Sequence, residues 1–293
     1  MTFKPMLALV LAAIFAATCA AQLSSGPAKG TLILTGGDQE TGIKEFVALV
    51  GGPDANIVYI PTAASSLRLP SGLIWEWLYT DELPANTPEF KQELCKMFGV
   101  KNITILHTRN KKTADSKEFV EPLRKAQGVW LSAGNPGRLS QAYLGTRTQR
   151  EIEAVVERGG VVGGNSAGAI IQGSYVIRGN PEKPVLMVKG RERGFALLKN
   201  VAVNPHLSEA MRQTELVTIV DTYPKLLGIG IDEKAAIIVK GDRFEVFGQG
   251  RVAIYDNQKH GSNWYYWLSP GDRFDLRNRS AERAAKASPS GSP

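Results

Sequence analysis

The stretch that most constrains this chain is Gly163-Gly164-Asn165-Ser166-Ala167-Gly168. It follows the apolar run Gly160-Val161-Val162 and leads into Ala169-Ile170-Ile171. Strand, tight turn and helix therefore succeed one another, with Ser166 at the apex. A Gly-x-Ser-x-Gly turn of this kind is a nucleophile elbow. Its glycines leave room where the strand folds back into the helix, and the strained turn lifts the hydroxyl out of the sheet. The first helical N–H groups then face whatever the serine attacks, where they and the helix dipole stabilise an oxyanion. The same pattern also serves as a plain glycine-rich turn with an incidental serine, so the rest of the chain has to decide.

Ahead of the elbow, short apolar runs alternate with helical periodicity. Strands are expected at Thr31–Thr35, Asn56–Ile60, Ile103–Leu106 and Gly128–Leu131. Ile43, Phe46, Val47 and Val50 recur at helical spacing, 73–98 reads as helical with a break at Pro84, and Phe119, Leu123 and Ala126 mark a further helix. Thr148-Gln149-Arg150-Glu151 has the form of a capping box opening a helix that Gly159-Gly160 ends. Such alternation predicts an α/β fold, a mostly parallel sheet with helices on both faces. Ligands of such sheets bind at the carboxyl ends of the strands, where the glycine-rich turns 134–137 and 163–168 both lie. After Val201–Val203, residues 207–222 read as helical. From Gly228 the pattern changes to short β runs at 236–239, 244–247, 252–255 and 264–268, a β-rich C-terminal extension.

The termini fall outside the expected fold. Lys4, the apolar run Met6–Ala17 and the small residues around Thr18-Cys19-Ala20-Ala21 have the form of a signal peptide, too short to span a membrane. Cleavage after Ala21 implies a secreted or periplasmic protein; a lipoprotein anchor at Cys19 is the rival, poorly matched by Ala16-Ala17-Thr18. Residues 22–277 are expected to form a single α/β domain and 278–293, rich in Arg, Ala, Ser and Pro, a disordered tail. Once 1–21 are removed Cys95 stands alone, without a disulfide partner. The net charge of +7 comes from scattered basic residues with no cluster interleaved with aromatics. That distribution argues against nucleic acid as a partner and suits acidic small substrates or solubility.

A serine nucleophile needs a general base, usually a histidine held by a third group. The chain has three histidines. His107 ends a strand in a polar loop and reads as a surface residue, and His260 lies in a turn between β runs. His206 follows Asn204-Pro205 at the end of a strand and precedes a helix, so position favours it as the base, the rival being a structural histidine.

Gly36-Gly37, Thr62-Ala63-Ala64, Gly134-Asn135, the elbow with Ala169, Gly194-Phe195-Ala196-Leu197-Leu198, His206 and Gly230-Ile231-Asp232 occur in the order and spacing of one family. Over residues 30–256 the chain resembles the cyanophycinase and dipeptidase E serine peptidases, which share the class I glutamine amidotransferase-like fold. The resemblance implies Ser166 as nucleophile, His206 as base, and an oxyanion hole from the N–H groups of Gly134 and Ala167. It implies a carboxylate fifteen to twenty residues after the serine, which Glu182 satisfies; the rival for Glu182 is a solvated loop residue. Substrate contacts are implied at Asn135, Asn204 and Arg212. The chain departs from cyanophycinases at Pro136, Asn204, Pro205, Ala210 and Glu215, so cyanophycin specificity does not follow.

The expected function is a secreted exopeptidase cleaving aspartyl-type or other short peptides, with no metal or organic cofactor and no stable membrane insertion; a homodimer is compatible. Two other readings stay open. One is an α/β-hydrolase-type esterase using Ser166 and His260, against which the β-rich stretch 236–268 argues. The other is a non-catalytic binding module on an amidotransferase-like scaffold.

Overall fold

A computed structural model of the chain describes residues 24–285 apart from 39, 70, 73, 77–87, 179–181 and 184. The expected signal peptide and residues 286–293 lie outside the described residues. In chain order the first elements are β1 (Thr31–Thr35), α1 (Glu40–Leu49), β2 (Ile57–Ile60), β3 (Ser66–Arg68), β4 (Ile74–Glu76) and α2 (Pro88–Phe98). Then come β5 (Ile103–Ile105), α3 (Lys111–Ala114), α4 (Lys117–Lys125), β6 (Gly128–Leu131), α5 (Pro136–Tyr143), α6 (Arg147–Glu157), β7 (Val161–Asn165) and α7 (Ala167–Ile170). The last part holds β8 (Val201–Pro205), α8 (Glu215–Thr222), β9 (Leu227–Ile231), β10 (Ala235–Lys240), β11 (Arg243–Gly248), β12 (Val252–Tyr255), β13 (Tyr266–Leu268), β14 (Arg273–Asp275) and β15 (Ser280–Glu282).

The main sheet has the order β15-β14-β11-β10-β1-β7-β6-β2-β5. Its β1-β7-β6-β2-β5 half is parallel, whereas β10, β11, β14 and β15 add antiparallel strands beyond β1. The apolar runs of the parallel strands follow from burial on both faces. In β1, Leu32 and Leu34 join one hydrophobic cluster while Ile33 joins the other. Helices α1 and α2 cover the second face through Ile43, Phe46, Phe90, Leu94 and Phe98. Trp130 of β6 packs edge-on against Phe46 and Phe98, with ring centroids 5.2 and 5.8 Å away. Helices α4, α5 and α6 cover the first face through Val120, Leu123, Leu139, Tyr143, Ile152 and Val155. This is the α/β fold with a β-rich C-terminal extension that the sequence leads one to expect.

A second sheet, β13-β12-β9-β8, carries a parallel pair, β8 and β9, with Pro205 opposite Ile231. The link from β9 to β10 crosses from this sheet to the main one in three residues, Asp232-Glu233-Lys234. It is tied to the end of β1, because the Gly37 and Asp38 N–H groups donate to the Glu233 carbonyl at 3.1 and 3.0 Å. The carboxyl ends of β7, β8 and β9 are thereby brought to one place.

Several local expectations change. Residues 74–76, expected to be helical, form β4, which pairs antiparallel with β3, and 77–87 lie outside the described residues. The capping box at Thr148 does not form: Thr146 is the N-cap, and the Thr148 hydroxyl donates instead to the Ala114 carbonyl at 2.7 Å. The helix expected from 207 begins only at Glu215, because His206 and Met211 take positive φ of +57° and +53° that no α-helix accommodates. The stretch expected as a disordered tail from 278 instead supplies β15 to the edge of the main sheet, paired with β14.

Candidate active site

Ser166 follows β7 directly and adopts φ +52°, ψ −109°, a strained conformation for a residue with a Cβ. The elbow's glycines are there for space. A Cβ on Gly168 would come within 2.0 Å of the Leu131 carbonyl oxygen, and one on Gly164 within 2.7 Å of the Gly168 backbone. The Ser166 N–H donates to the Thr35 and Gly36 carbonyls at 3.3 and 3.1 Å, tying the turn to the end of β1. Helix α7 is only four residues long, so the turn after Ser166 offers individual N–H groups more than a long helix dipole.

His206 Nε2 lies 2.8 Å from Ser166 Oγ. On the other side of the ring, Nδ1 hydrogen-bonds Glu233 Oε2. His206 follows β8 and Glu233 stands two residues beyond β9, so two parallel neighbouring strands bring the imidazole and the carboxylate to the serine. Asp232 does not face this line; its carboxylate accepts from the Ser208 N–H, the Ser208 hydroxyl and the Arg251 N–H at 3.2, 2.6 and 3.0 Å. It fixes the loop after His206 to the link carrying Glu233. Gly37 closes the arrangement from the β1 side, since a Cβ there would lie 2.2 Å from Glu233 Oε1 and 2.3 Å from His206 Cε1.

Glu182, expected to hold the histidine, is exposed, and the carboxylate bonded to His206 is that of Glu233. The reason is topological: Glu182 belongs to the irregular connection between α7 and β8, whereas the sheet-to-sheet link delivers Glu233 to the ring. The position of Glu233 after a buried strand, at the same carboxyl edge as the glycine turns, is the signal that would have found it.

Gly134, at φ +135°, is exposed and follows β6. Neither its N–H nor that of Ala167 has an acceptor among the described residues. Asn135 caps α5, its Oδ1 accepting the Gly137 N–H at 2.8 Å, and Pro136 is at the first helical turn. Pro136 is therefore suited to a position where an N–H would have no helical partner.

A cavity of about 430 Å³ opens beside the serine, lined by Gly134, Pro136, Ser166, Arg178, His206 and Arg212 among others. Arg212 is among the residues that line it. Asn204 is not: it is fully buried, and its amide accepts from Arg178 Nη2 at 2.5 Å and donates to Glu215 Oε2 at 3.0 Å. It supports the wall instead of contacting a ligand. Arg178, which has no sequence signature, pairs with Glu215 at 2.7 Å and sits at φ +66°. Burial draws its pKa down, and the neighbouring Glu215 carboxylate opposes that shift.

The other histidines are elsewhere. His107 is half-buried and not a surface residue, its Nδ1 2.9 Å from the Thr62 hydroxyl, which in turn meets the Tyr143 hydroxyl at 2.6 Å. His260 pairs with Asp256 at 2.9 Å in the connection between β12 and β13. Among the described residues no three His, Cys, Asp or Glu side chains gather as metal ligands would, and no helix is long and apolar enough to cross a membrane.

Comparison with known proteins gives one family. The model of peptidase family S51 matches residues 31–247. A cyanophycinase of Geminocystis herdmanii is 27% identical over 220 residues, covering 74% of this chain and 75% of that protein. One from Thermosynechococcus vestitus is 29% identical over 237 residues, 78% of this chain and 68% of that protein. A Nostoc cyanophycinase is 31% identical over 202 residues, 62% and 67% of the two chains. Among solved structures, a peptidase from an acI-B1 Actinobacterium shares the fold with a TM-score of 0.64 at 22% identity, over 86% of this chain and 98% of the other. A peptidase E protein of Listeria monocytogenes does so with a TM-score of 0.51 at 18% identity, over 76% and 100%. The matched region runs from β1 into β11 and takes in the glycine turns at 134–137 and 163–168 and the strands that precede His206 and Glu233. The chain belongs to peptidase family S51 and is a cyanophycinase-like serine-type peptidase.

Proposed function

We propose that this peptidase cleaves short, soluble peptides, aspartyl-type bonds among them, as an exopeptidase using Ser166 as nucleophile, His206 as general base and Glu233 as the group that orients and stabilises the imidazolium. The observation that carries this reading is the continuous line Ser166 Oγ–His206–Glu233, with 2.8 Å between hydroxyl and Nε2. In the proposed reaction His206 Nε2 takes the hydroxyl proton as Oγ attacks the scissile carbonyl. The oxyanion accepts from the Gly134 and Ala167 N–H groups, which have no acceptor among the described residues, as that role requires. The protonated imidazole then gives its proton to the leaving amine, and water repeats the sequence on the acyl-enzyme.

The relatives are named for cyanophycin, but three features favour small soluble peptides here. Pro136 begins a helix, Asn204 is buried in the wall, and Glu215 is engaged by Arg178. Signal-peptide-like residues 1–21 favour a secreted or periplasmic location. The test is to incubate the protein with peptides containing α- and β-aspartyl linkages and read products by mass spectrometry, with Ser166→Ala as the blank. Cleavage that persists in Ser166→Ala, or faster turnover of β-Asp-Arg polymer than of every short peptide, would overturn the respective part of the reading.

A further inference from the structure

A second cavity of about 620 Å³ adjoins the catalytic one, and Asn135 and Arg178 line both. Its wall carries four cationic side chains, Lys111, Arg178, Arg191 and Arg193, and no acidic one. Lys111, Arg191 and Arg193 are exposed, and none has an ion-pair partner among the described residues. Arg178, at the junction, bonds Asn204 and Glu215 through Nη2 alone among the described residues. Gln141 adds a neutral donor along the same wall, whereas Gln149 Nε2 donates to Glu153 Oε1 at 2.7 Å. A wall whose charged side chains are all of one sign concentrates ligands of the other.

We infer that this trough is a subsite for the continuing chain of an acidic peptide, whose Asp or Glu carboxylates it receives while the scissile bond lies at Ser166. The inference rests on the catalytic reading above and adds the class of chain that reading would act on. Guanidinium groups suit the task, since each can meet a carboxylate bidentately. Because Lys111, Arg191 and Arg193 are exposed, each pairing is modest and screened by salt, so the preference is cumulative.

The test uses the full chain carrying Ser166→Ala, so that binding is read without turnover. The probes are Asp-Leu extended by four glutamates at either end, and the same peptides with four glutamines. The glutamate peptide is expected to bind on the order of tenfold more tightly in at least one orientation at low salt, by adding exposed pairings. That advantage should vanish at high salt and in Lys111→Gln/Arg191→Gln/Arg193→Gln. As a control for net charge, Lys29→Gln/Lys199→Gln/Lys240→Gln removes three exposed lysines; Lys240 pairs with Thr31 at the start of β1, opposite the serine end. The control should keep the preference. Equal binding of glutamate and glutamine peptides in both orientations, or equal loss of preference in both triple variants, overturns the subsite. If the intact enzyme cleaves peptides with no such preference, the catalytic reading stands and the subsite falls. If no peptide is cleaved yet the preference is present and lost only in the trough variant, the subsite stands and the catalytic reading falls.

Discussion

Ser166 and His206 both hold left-handed backbone, at φ +52° and +57°, and their reacting atoms lie 2.8 Å apart across forty residues of chain. Each caps the carboxyl end of a strand in a different sheet, β7 for the serine and β8 for the histidine. A positive φ turns the side chain away from the strand direction and costs on the order of 1–2 kcal/mol for a residue with a Cβ. Two such residues meeting is a placement that the hydrogen bonds behind them sustain: Ser166 N–H to the end of β1, and the His206 loop to Asp232 through Ser208.

Replacing the hydroxyl tests the proposed nucleophile. Ser166→Ala is expected to fold as the parent does and to lose peptide turnover by several orders of magnitude. The oxyanion donors and binding alone would leave a residue of roughly 10³-fold over water. Near-parental kcat in this variant would remove Ser166 from the reaction.

The two candidate carboxylates separate cleanly. Glu233→Gln keeps the shape but removes the charge that stabilises a protonated His206, so kcat should fall by up to roughly 10⁴-fold with KM little changed. Glu182→Gln, at an exposed position, should leave kcat within about twofold, the size of a surface effect. The reverse ranking in steady-state kinetics would return the role to Glu182.

Gly37 offers a test of positioning. In Gly37→Ala the new methyl meets the ends of the Glu233 and His206 side chains, which can move, and not main chain, so the fold should survive. A displacement of about 1 Å at the base is expected to lower kcat on the order of 100-fold. Thermal unfolding close to the parent's alongside that loss would be the confirming pair; full activity would mean the pocket adjusts without cost.

Much of this was legible in the chain itself, for local reasons. Buried parallel strands such as Thr31–Thr35 must be apolar throughout, and a strand-to-helix turn as tight as that at Ser166 admits little but glycine around it. His206 could be chosen because strand ends are where such sheets bind ligands. Glu233 shares that strand-end signal, two residues past Ile231, but its approach to the ring depends on how two sheets are joined, which no local pattern encodes. Arg178 carries no signal at all: its role exists only through Glu215 and Asn204, which are 37 and 26 residues away. The false helical start at 207 has the same origin, because apolar spacing was present but the left-handed residues that interrupt it were invisible.

Asp272 makes stability depend on pH. Burial pushes its pKa up, but the Ser269 and Ala284 N–H groups and the Arg283 guanidinium outweigh that and hold it below its ordinary value. A depressed carboxylate contributes its full stabilisation above the unfolded pKa, about 4, and loses it as pH falls through the folded value. Asp272→Asn should therefore cost about 1–3 kcal/mol near neutrality, the range for removing a buried acceptor. The gap between parent and variant in denaturant unfolding should narrow below about pH 4; a gap that widens there would contradict the sign.

The last prediction concerns Glu215, which Arg178 meets at 2.7 Å and Arg212 approaches at 4.0 Å. Its side chain is 22% exposed and that of Arg178 28%, so the pair is only partly shielded from water. In Glu215→Gln the amide can still hydrogen-bond Asn204, but two guanidinium groups lose their shared counter-charge. The cost should be roughly 1–2 kcal/mol, well under the 3–5 kcal/mol of a fully buried pair. Both arginines line the cavity beside Ser166, so the released positive charge would face a peptide bound there. KM for peptides carrying Asp or Glu beside the scissile bond should then fall by about fivefold, one modest ion pairing, while KM for neutral peptides stays level. If acidic and neutral peptides shift together, Glu215 serves the wall alone and the charge of Arg178 does not reach the substrate. If only acidic peptides gain, Glu215 restrains a charge that the cavity would otherwise apply in full.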